Sequence, residues 1–217
     1  MINFKQANQI LQMPLFKNFD KIDKNIPILI AGQTASGKSQ IAIDIAEKQG
    51  GIIINADAIQ VYKNWRILTA RPSRIDEAKI NHKLYGHIDG TTDYSVGTWL
   101  KEVQDILSSN SRPIIVGGTG LYFSALTKGL VDIPEISETI RREAKNRIKK
   151  NGFESLAGEI DEETLQKIDK NNPVRVQRAW EVLRSTGRSL TSWHQETPKP
   201  TLDLRMCKAI LVDGEVS

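Results

Sequence analysis

The chain has 217 residues, 39% of them apolar and 26% charged, with a net charge of +4. That length supports one domain with a sizeable core, or a core carrying a smaller inserted domain. The single cysteine, Cys207, excludes an internal disulfide and suits a reducing compartment. No run approaches the roughly 20 apolar residues of a membrane span, and the mild basicity permits a polyanionic partner without requiring one.

In chain order, residues 1–25 are amphipathic, carry acids and lack a continuous apolar stretch with a cleavage site. They read as a helical or disordered leader rather than a secretory signal, and a cytoplasmic home is expected. PILIA (Pro27–Ala31) reads as a strand running into a glycine loop, and apolar residues at Ile41, Ala42, Ile45 and Ala46 give a helix face. GIIIN (Gly51–Asn55) is a second buried strand and Leu84–Asp89 a third. Tyr94–Leu107 reads as a helix with Ser95 as N-cap, Arg112–Gly117 as a strand, and Leu121–Thr127 as a helix. Continuous apolar strands alternating with helices predict a parallel sheet covered on both faces.

From about Val131 apolar strands disappear. Ile136–Arg188 reads as successive short helices, broken at Asn151-Gly152, Gly158 and Asn171-Asn172-Pro173. A connector containing prolines follows, and MCKAILV (Met206–Val212) reads as a strand returning to the sheet. The expected organisation is a leader over 1–25, a core over 26–130, a helical insertion over 131–200, and a return strand over 201–217 that leaves the core incomplete.

GQTASGKS (Gly32, Gln33, Thr34, Ala35, Ser36, Gly37, Lys38, Ser39) fits G-x-x-x-x-G-K-[ST]. Glycines let successive N–H groups point at anionic oxygens, and the following helix adds its positive end. Lys38 supplies a mobile cation and Ser39 a hydroxyl suited to Mg²⁺. The strand before and helix after satisfy the motif's context, so the loop is read as binding a phosphate whose owner the motif does not identify. Asp57, just past the second strand, has three readings by spacing: a Mg²⁺-coordinating acid, a cap of the next helix, or a general base facing the crevice at the strand ends.

GQTASGKS, NADAIQVY, TARP, GHID, IIVGGTGLYFSAL and NNPVRVQRAWEVLRSTGRSL occur in this order over roughly residues 27–212. Together they resemble the tRNA dimethylallyltransferase (tRNA isopentenyltransferase) family. The resemblance implies a P-loop nucleoside-triphosphate-hydrolase-like α/β fold with helices on both faces and a helical insertion domain. It implies transfer of a dimethylallyl group from dimethylallyl diphosphate to the exocyclic amine of adenosine 37 in tRNA, with Mg²⁺; a monomer with no membrane partner is expected. Gly32–Ser39 then hold a diphosphate that leaves intact, with Ser39 on the metal. Asp57 matches the family's base, and Thr119 its hydroxyl near the departing oxygen, so the catalytic candidates are Asp57, Thr119 and Lys38. Asp57, Ala58, Ile59 and Gln60 bracket a flipped-out adenine, with the Gln60 amide reading its edge. Arg141 and the run Val174, Arg175, Val176, Gln177, Arg178 match positions that contact tRNA.

The run IRREAKNRIKK carries six basic residues and one acid. Apart from Arg141 it is read as a solvated helix face. The chain departs from the family in Ala58, where Ser is usual, and in ending where relatives continue. The alternatives are a P-loop kinase of a small metabolite or nucleotide, and a truncated, non-catalytic RNA-binding remnant. His87 is expected to be structural, Trp99 and Trp180 to be core, and Cys207 to be buried and inert.

Overall fold

A computed structural model describes residues 22–109, 111–196 and 198–212. Most of the leader expected over 1–25 and the last five residues of the return segment therefore lie outside the described residues. The chain divides into two compact units, one within Met1–Gly129 and Pro200–Ser217, the other within Leu130–Lys199.

The first unit is built on β1 (Ile28–Gly32), β2 (Ile52–Asn55), β3 (His82–Lys83), β4 (Pro113–Gly117) and β5 (Lys208–Val212), with α1 (Lys38–Gln49), α2 (Arg74–Lys79), α3 (Val96–Leu107) and α4 (Gly120–Lys128) between them. The strands form one sheet in the order β3-β2-β4-β1-β5, and every ladder in it is parallel. Alternate residues of each central strand feed opposite faces, as the period of two requires. Ile28, Ile30, Ile53, Ile114, Val116 and Ile210 pack with Ala42, Ile45 and Ala46 of α1. Leu29, Ala31, Ile52, Ile54 and Ile115 pack with Trp99 and Val103 of α3 and Phe123 and Leu126 of α4. Both faces are therefore apolar, which is why these strands read as unbroken hydrophobic runs.

Helix starts follow the expected chemistry. Ser95 caps α3 by accepting from the Thr98 N–H at 3.1 Å. Two strand boundaries differ from the sequence expectation. The third strand is His82–Lys83, not Leu84–Asp89, because Leu84 and Gly86 have φ of 62° and 56° and turn the chain out of extended geometry. Within 84–89 only Ile88 makes a bridge, to Tyr62. The last strand begins at Lys208, since Leu204–Met206 form a 3₁₀ turn that leaves Met206 exposed.

The second unit contains α5 (Glu138–Asn151), α6 (Glu154–Ala157), α7 (Glu162–Lys167), α8 (Pro173–Thr186) and α9 (Leu190–His194). Its core gathers Ile136, Ala144, Leu156, Ile160, Val176, Ala179, Trp180, Val182 and Leu190. Asn172 starts α8 by accepting from the N–H groups of Val174 and Arg175, with Pro173 in the first turn where its missing N–H costs nothing. Trp99 and Trp180 are both fully buried, as expected. Among the described residues no helix is long and apolar enough to cross a membrane.

Candidate active site

Sheet order decides which loops meet. β4 lies between β1 and β2, so the segments leaving the carboxyl ends of these three parallel strands are neighbours. Ligands of open parallel sheets bind in this crevice.

The segment after β1 is the glycine loop. Gly37 has φ of 82°, a conformation that a side chain disfavours, and Ala35 is also left-handed at 64°. A Cβ on Gly32 would meet the Val212 carbonyl at 2.5 Å and Ser36 Oγ at 2.8 Å, so the start of the loop tolerates no side chain. Helix α1 opens on Gly37 with no side-chain cap and no acid in its first turn, leaving its N-terminal amides and positive end to an anion. Lys38 is buried, and its Nζ donates to the Gln33 carbonyl at 2.8 Å. Burial lowers its pKa from the ordinary lysine value, and the Asp57 carboxylate opposes that shift.

The segment after β2 carries Asp57. A turn over 58–61 follows it, and the next helical element, the 3₁₀ turn Lys63–Trp65, opens on Tyr62, so Asp57 caps no helix. Instead Asp57 Oδ1 accepts from the Ile59 N–H at 3.0 Å in a local turn. The Ala56 N–H donates to the Val116 carbonyl at 2.8 Å, and the Ala56 carbonyl accepts from the Thr119 N–H at 3.1 Å. The Asp57 N–H donates to Asn55 Oδ1 at 2.9 Å, and the Ala58 N–H donates to Thr119 Oγ1 at 2.9 Å. Thr119 begins α4 but does not cap it with its hydroxyl, which accepts from Ala58 instead. The Thr119 proton remains available to donate.

Two glycines let these segments close. A Cβ on Gly117 would collide with the Ala56 backbone, and one on Gly118 would stand 3.3 Å from the Gly32 carbonyl and 3.7 Å from Asp57 Oδ2. Gly118 therefore lies where the glycine loop and the Asp57 carboxylate approach each other. The structure brings Lys38, Asp57 and Thr119 of the predicted set together in this way.

Gln60 departs from the expectation. Its Nε2 donates to the carbonyls of Thr69 (2.7 Å) and Ala70 (3.3 Å), so its amide N–H groups brace the 60–70 loop and only its oxygen is left for a base. Ile59 is exposed and Ala58 half-buried.

Within the helical unit, Val174, Arg175 and Arg178 are exposed, whereas Val176 is fully buried in the core and offers no side chain to a partner. Four residues per turn, near enough, put 174 and 178 on one face and turn 176 inward. Gln177 donates to Glu181 at 2.7 Å. Surrounding protein lowers the Arg178 pKa from its ordinary value. The Glu181 carboxylate opposes this and the neighbouring Arg141 cation adds to it. Arg147, read from sequence as part of a solvated face, pairs with Glu159 at 2.7 Å, and Glu159 accepts from Trp180 Nε1 at 2.8 Å. It is a structural cation.

Two non-candidates also resolve. His87 pairs with Glu102 at 2.9 Å, a structural contact. Cys207 is half-buried rather than buried, and burial raises its thiol to about 11, which keeps it inert at neutral pH.

Among the described residues no group of three or more His, Cys, Asp or Glu is placed to hold a metal. Mg²⁺ needs no such cage. It takes hard oxygen ligands, keeps several waters and is commonly held by one or two protein oxygens plus phosphate. The loop fits that demand: Ser39 places a half-buried hydroxyl in the first turn of α1, and the buried Ser36 Oγ is left without a partner.

Sequence reasoning missed Asn55 and the indole of Trp99. Asn55 is fully buried, and its carbonyl accepts from Trp99 Nε1 at 2.7 Å. The signal was there: a polar residue closing an all-isoleucine strand calls for partners, because buried amides are hydrogen-bonded.

Comparison with known proteins decides the family. A model described as IPP transferase matches residues 60–216, and one described as isopentenyl transferase matches 26–87. The chain belongs to the IPP transferase family. It is 52% identical over 198 residues to the tRNA dimethylallyltransferase of Ruegeria sp. (strain TM1040), covering 91% of this chain and 67% of that one. The corresponding protein of Cereibacter sphaeroides (strain KD131 / KCTC 12085) is 51% identical, with 91% and 63% covered. A solved structure of a eukaryotic dimethylallyltransferase acting on tRNA superposes with a TM-score of 0.70 at 28% identity, over 86% of this chain and 48% of that one. This IPP transferase chain thus spans about half to two thirds of the length of these relatives, and it has their P-loop NTPase-like fold.

Proposed function

We propose that this chain carries out tRNA dimethylallyl transfer: a dimethylallyl group passes from dimethylallyl diphosphate to the exocyclic amine of adenosine 37, and diphosphate is released. The observation that carries the reading is the approach of the Asp57 carboxylate and the glycine loop across Gly118. A base and an anion cradle that both border Gly118 suit a substitution in which one group receives a proton and the other a leaving group.

The adenine amine is a weak nucleophile, because its lone pair is shared with the ring. As its nitrogen bonds to the allylic carbon, the bond from that carbon to the diphosphate oxygen breaks, and Asp57 takes the amine proton. General-base help of this kind contributes about 10²–10⁴-fold. Charge gathers on the departing diphosphate, where Lys38, the loop amides and the end of α1 are placed to receive it. Thr119 donates a hydrogen bond from its hydroxyl to the departing oxygen. Ser39 would hold Mg²⁺, which would neutralise part of the diphosphate charge. The Gln60 oxygen accepts from the adenine edge. Arg141, Arg175 and Arg178 contact tRNA phosphates through the helical unit, whose role is RNA binding. The working setting is the cytoplasm, and the working form a monomer.

The test combines the purified chain, Mg²⁺, dimethylallyl diphosphate and unmodified tRNA bearing adenosine at position 37. Prenylated tRNA is the expected product, and Asp57→Ala abolishes it with the fold intact. ATP consumption with phosphorylation of a small molecule in place of prenylation overturns the reading in favour of a kinase. Binding of tRNA with no product, while a longer relative turns over, identifies a non-catalytic RNA-binding chain.

A further inference from the structure

We propose that Asn55 is a positioning residue for the Asp57 carboxylate, an inference that rests on Asp57 being the base. Its amide brackets the Asp57 backbone from both sides: Oδ1 accepts from the Asp57 N–H at 2.9 Å, and Nδ2 donates to the Asp57 carbonyl at 2.9 Å. The same Nδ2 reaches the carbonyl of Leu84 at 3.0 Å, and the Asn55 carbonyl accepts from Trp99 Nε1 at 2.7 Å. One fully buried residue thus ties the turn after β2 to the bend after β3 and to α3.

The consequence for Asp57 is geometric. Asn55 holds its backbone, and the Ile59 N–H holds Oδ1. Among the described residues Oδ2 makes no hydrogen bond, and it is the oxygen nearest Gly118. The carboxylate is therefore delivered with one oxygen fixed and the other presented. Only asparagine meets these demands at this length. Aspartate lacks the donors and would oppose two carbonyls, serine is too short to bracket a peptide unit, and leucine would leave three backbone groups unpaired in a dry interior. None of these bonds touches the Asp57 carboxylate itself, so Asn55 acts on where the base is held. A reacting group displaced by about 1 Å costs on the order of 100-fold in rate.

The experiment is single-turnover prenylation by the full chain in saturating excess over tRNA. There every tRNA is bound by folded enzyme, so the rate constant reports folded enzyme whatever fraction of the protein is folded, and circular dichroism reports that fraction. For Asn55→Ala we expect a rate constant about 100-fold lower, unchanged affinity for dimethylallyl diphosphate, and a pH–rate profile with the wild-type midpoint and a lower plateau. Asn55→Ser is read by the same criteria if the alanine variant does not fold. A folded variant whose rate constant stays within about 3-fold of wild type overturns the proposal, as does a shifted midpoint, which would mean that Asn55 acts on acidity. Asp57→Asn, run alongside, separates the two claims. If it abolishes the reaction while Asn55→Ala does not slow it, only the positioning role falls. If Asp57→Asn turns over normally, the base assignment itself falls.

Discussion

The Thr119 hydroxyl accepts a hydrogen bond from the backbone N–H of Ala58 at 2.9 Å, although Thr119 stands at the start of a helix where hydroxyls usually cap. That bond fixes the direction of the hydroxyl. With one lone pair occupied, its proton points elsewhere, and the turn after β2 and the turn after β4 become one rigid piece. The side chain is therefore both a structural link and a preset donor.

Thr119→Val keeps the shape and removes both roles. We expect turnover to fall about 10²–10³-fold, the scale of losing one preorganised donor. Stability should drop by about 1–3 kcal/mol, because the Ala58 N–H loses its partner. Thr119→Ser should retain most of both. Steady-state kinetics and urea unfolding on the three proteins check this.

Lys38 gives a pH prediction. Burial lowers its pKa in the folded chain below the value of 10.5 it has when unfolded. Between those two values the unfolded chain binds more protons than the folded one, so stability contributed at this site rises with pH. Below both values the penalty of burying the cation is fully present, and it is relieved as pH climbs through the folded-state value toward 10.5. The stability difference between wild type and Lys38→Met, measured without diphosphate, should shift in favour of wild type across that window. Added diphosphate favours the charged lysine and should displace the window upward.

Arg175 and Arg178 are expected to act as phosphate contacts. Arg175→Gln and Arg178→Gln should each weaken tRNA binding at any sequence and reduce the slope of log affinity against log salt by about 1. Filter binding at several salt concentrations checks this, with Arg147→Gln as the contrast. Removal of that cation breaks its pair with Glu159 and should lower the melting temperature while leaving the salt slope as it was.

Trp99 stacks on Tyr122 with ring centroids 4.3 Å apart and donates to Asn55. Trp99→Ala should cost about 3–5 kcal/mol, the usual scale for emptying a buried aromatic site. Trp99→Phe keeps most of the packing and should cost about 1–2 kcal/mol for the missing donor. Chemical denaturation distinguishes the two.

The glycine loop, the flanking β1 and α1, and the start of α3 were legible in the sequence because their causes are local. A glycine, a lysine and a cap residue act within a few positions of themselves. Asp57 was legible as a candidate only, since spacing alone left three roles open. Asn55 was overlooked because its partners are Leu84 and Trp99, 29 and 44 residues away, and nothing in GIIIN names them. The bracing of the Gln60 N–H groups is illegible for the same reason: the carbonyls that accept from them lie nine and ten residues on. The left-handed Leu84 defeated the strand expected over 84–89, because no β-propensity predicts a positive φ on leucine. Val176 was grouped with its neighbours by motif, whereas the helix period sends it inward.

Val116 in β4 is paired with Ile30 on one side and Asn55 on the other. The central strand is thus a gauge block: it holds the phosphate loop and the aspartate turn two strand spacings apart, about 9.6 Å, by backbone ladders alone. Side-chain substitutions around the crevice leave that span untouched, whereas one inserted residue in β4 would slide Thr119 past Ala58 by about 3.3 Å. The register between the two turns is set by the count of residues in one strand.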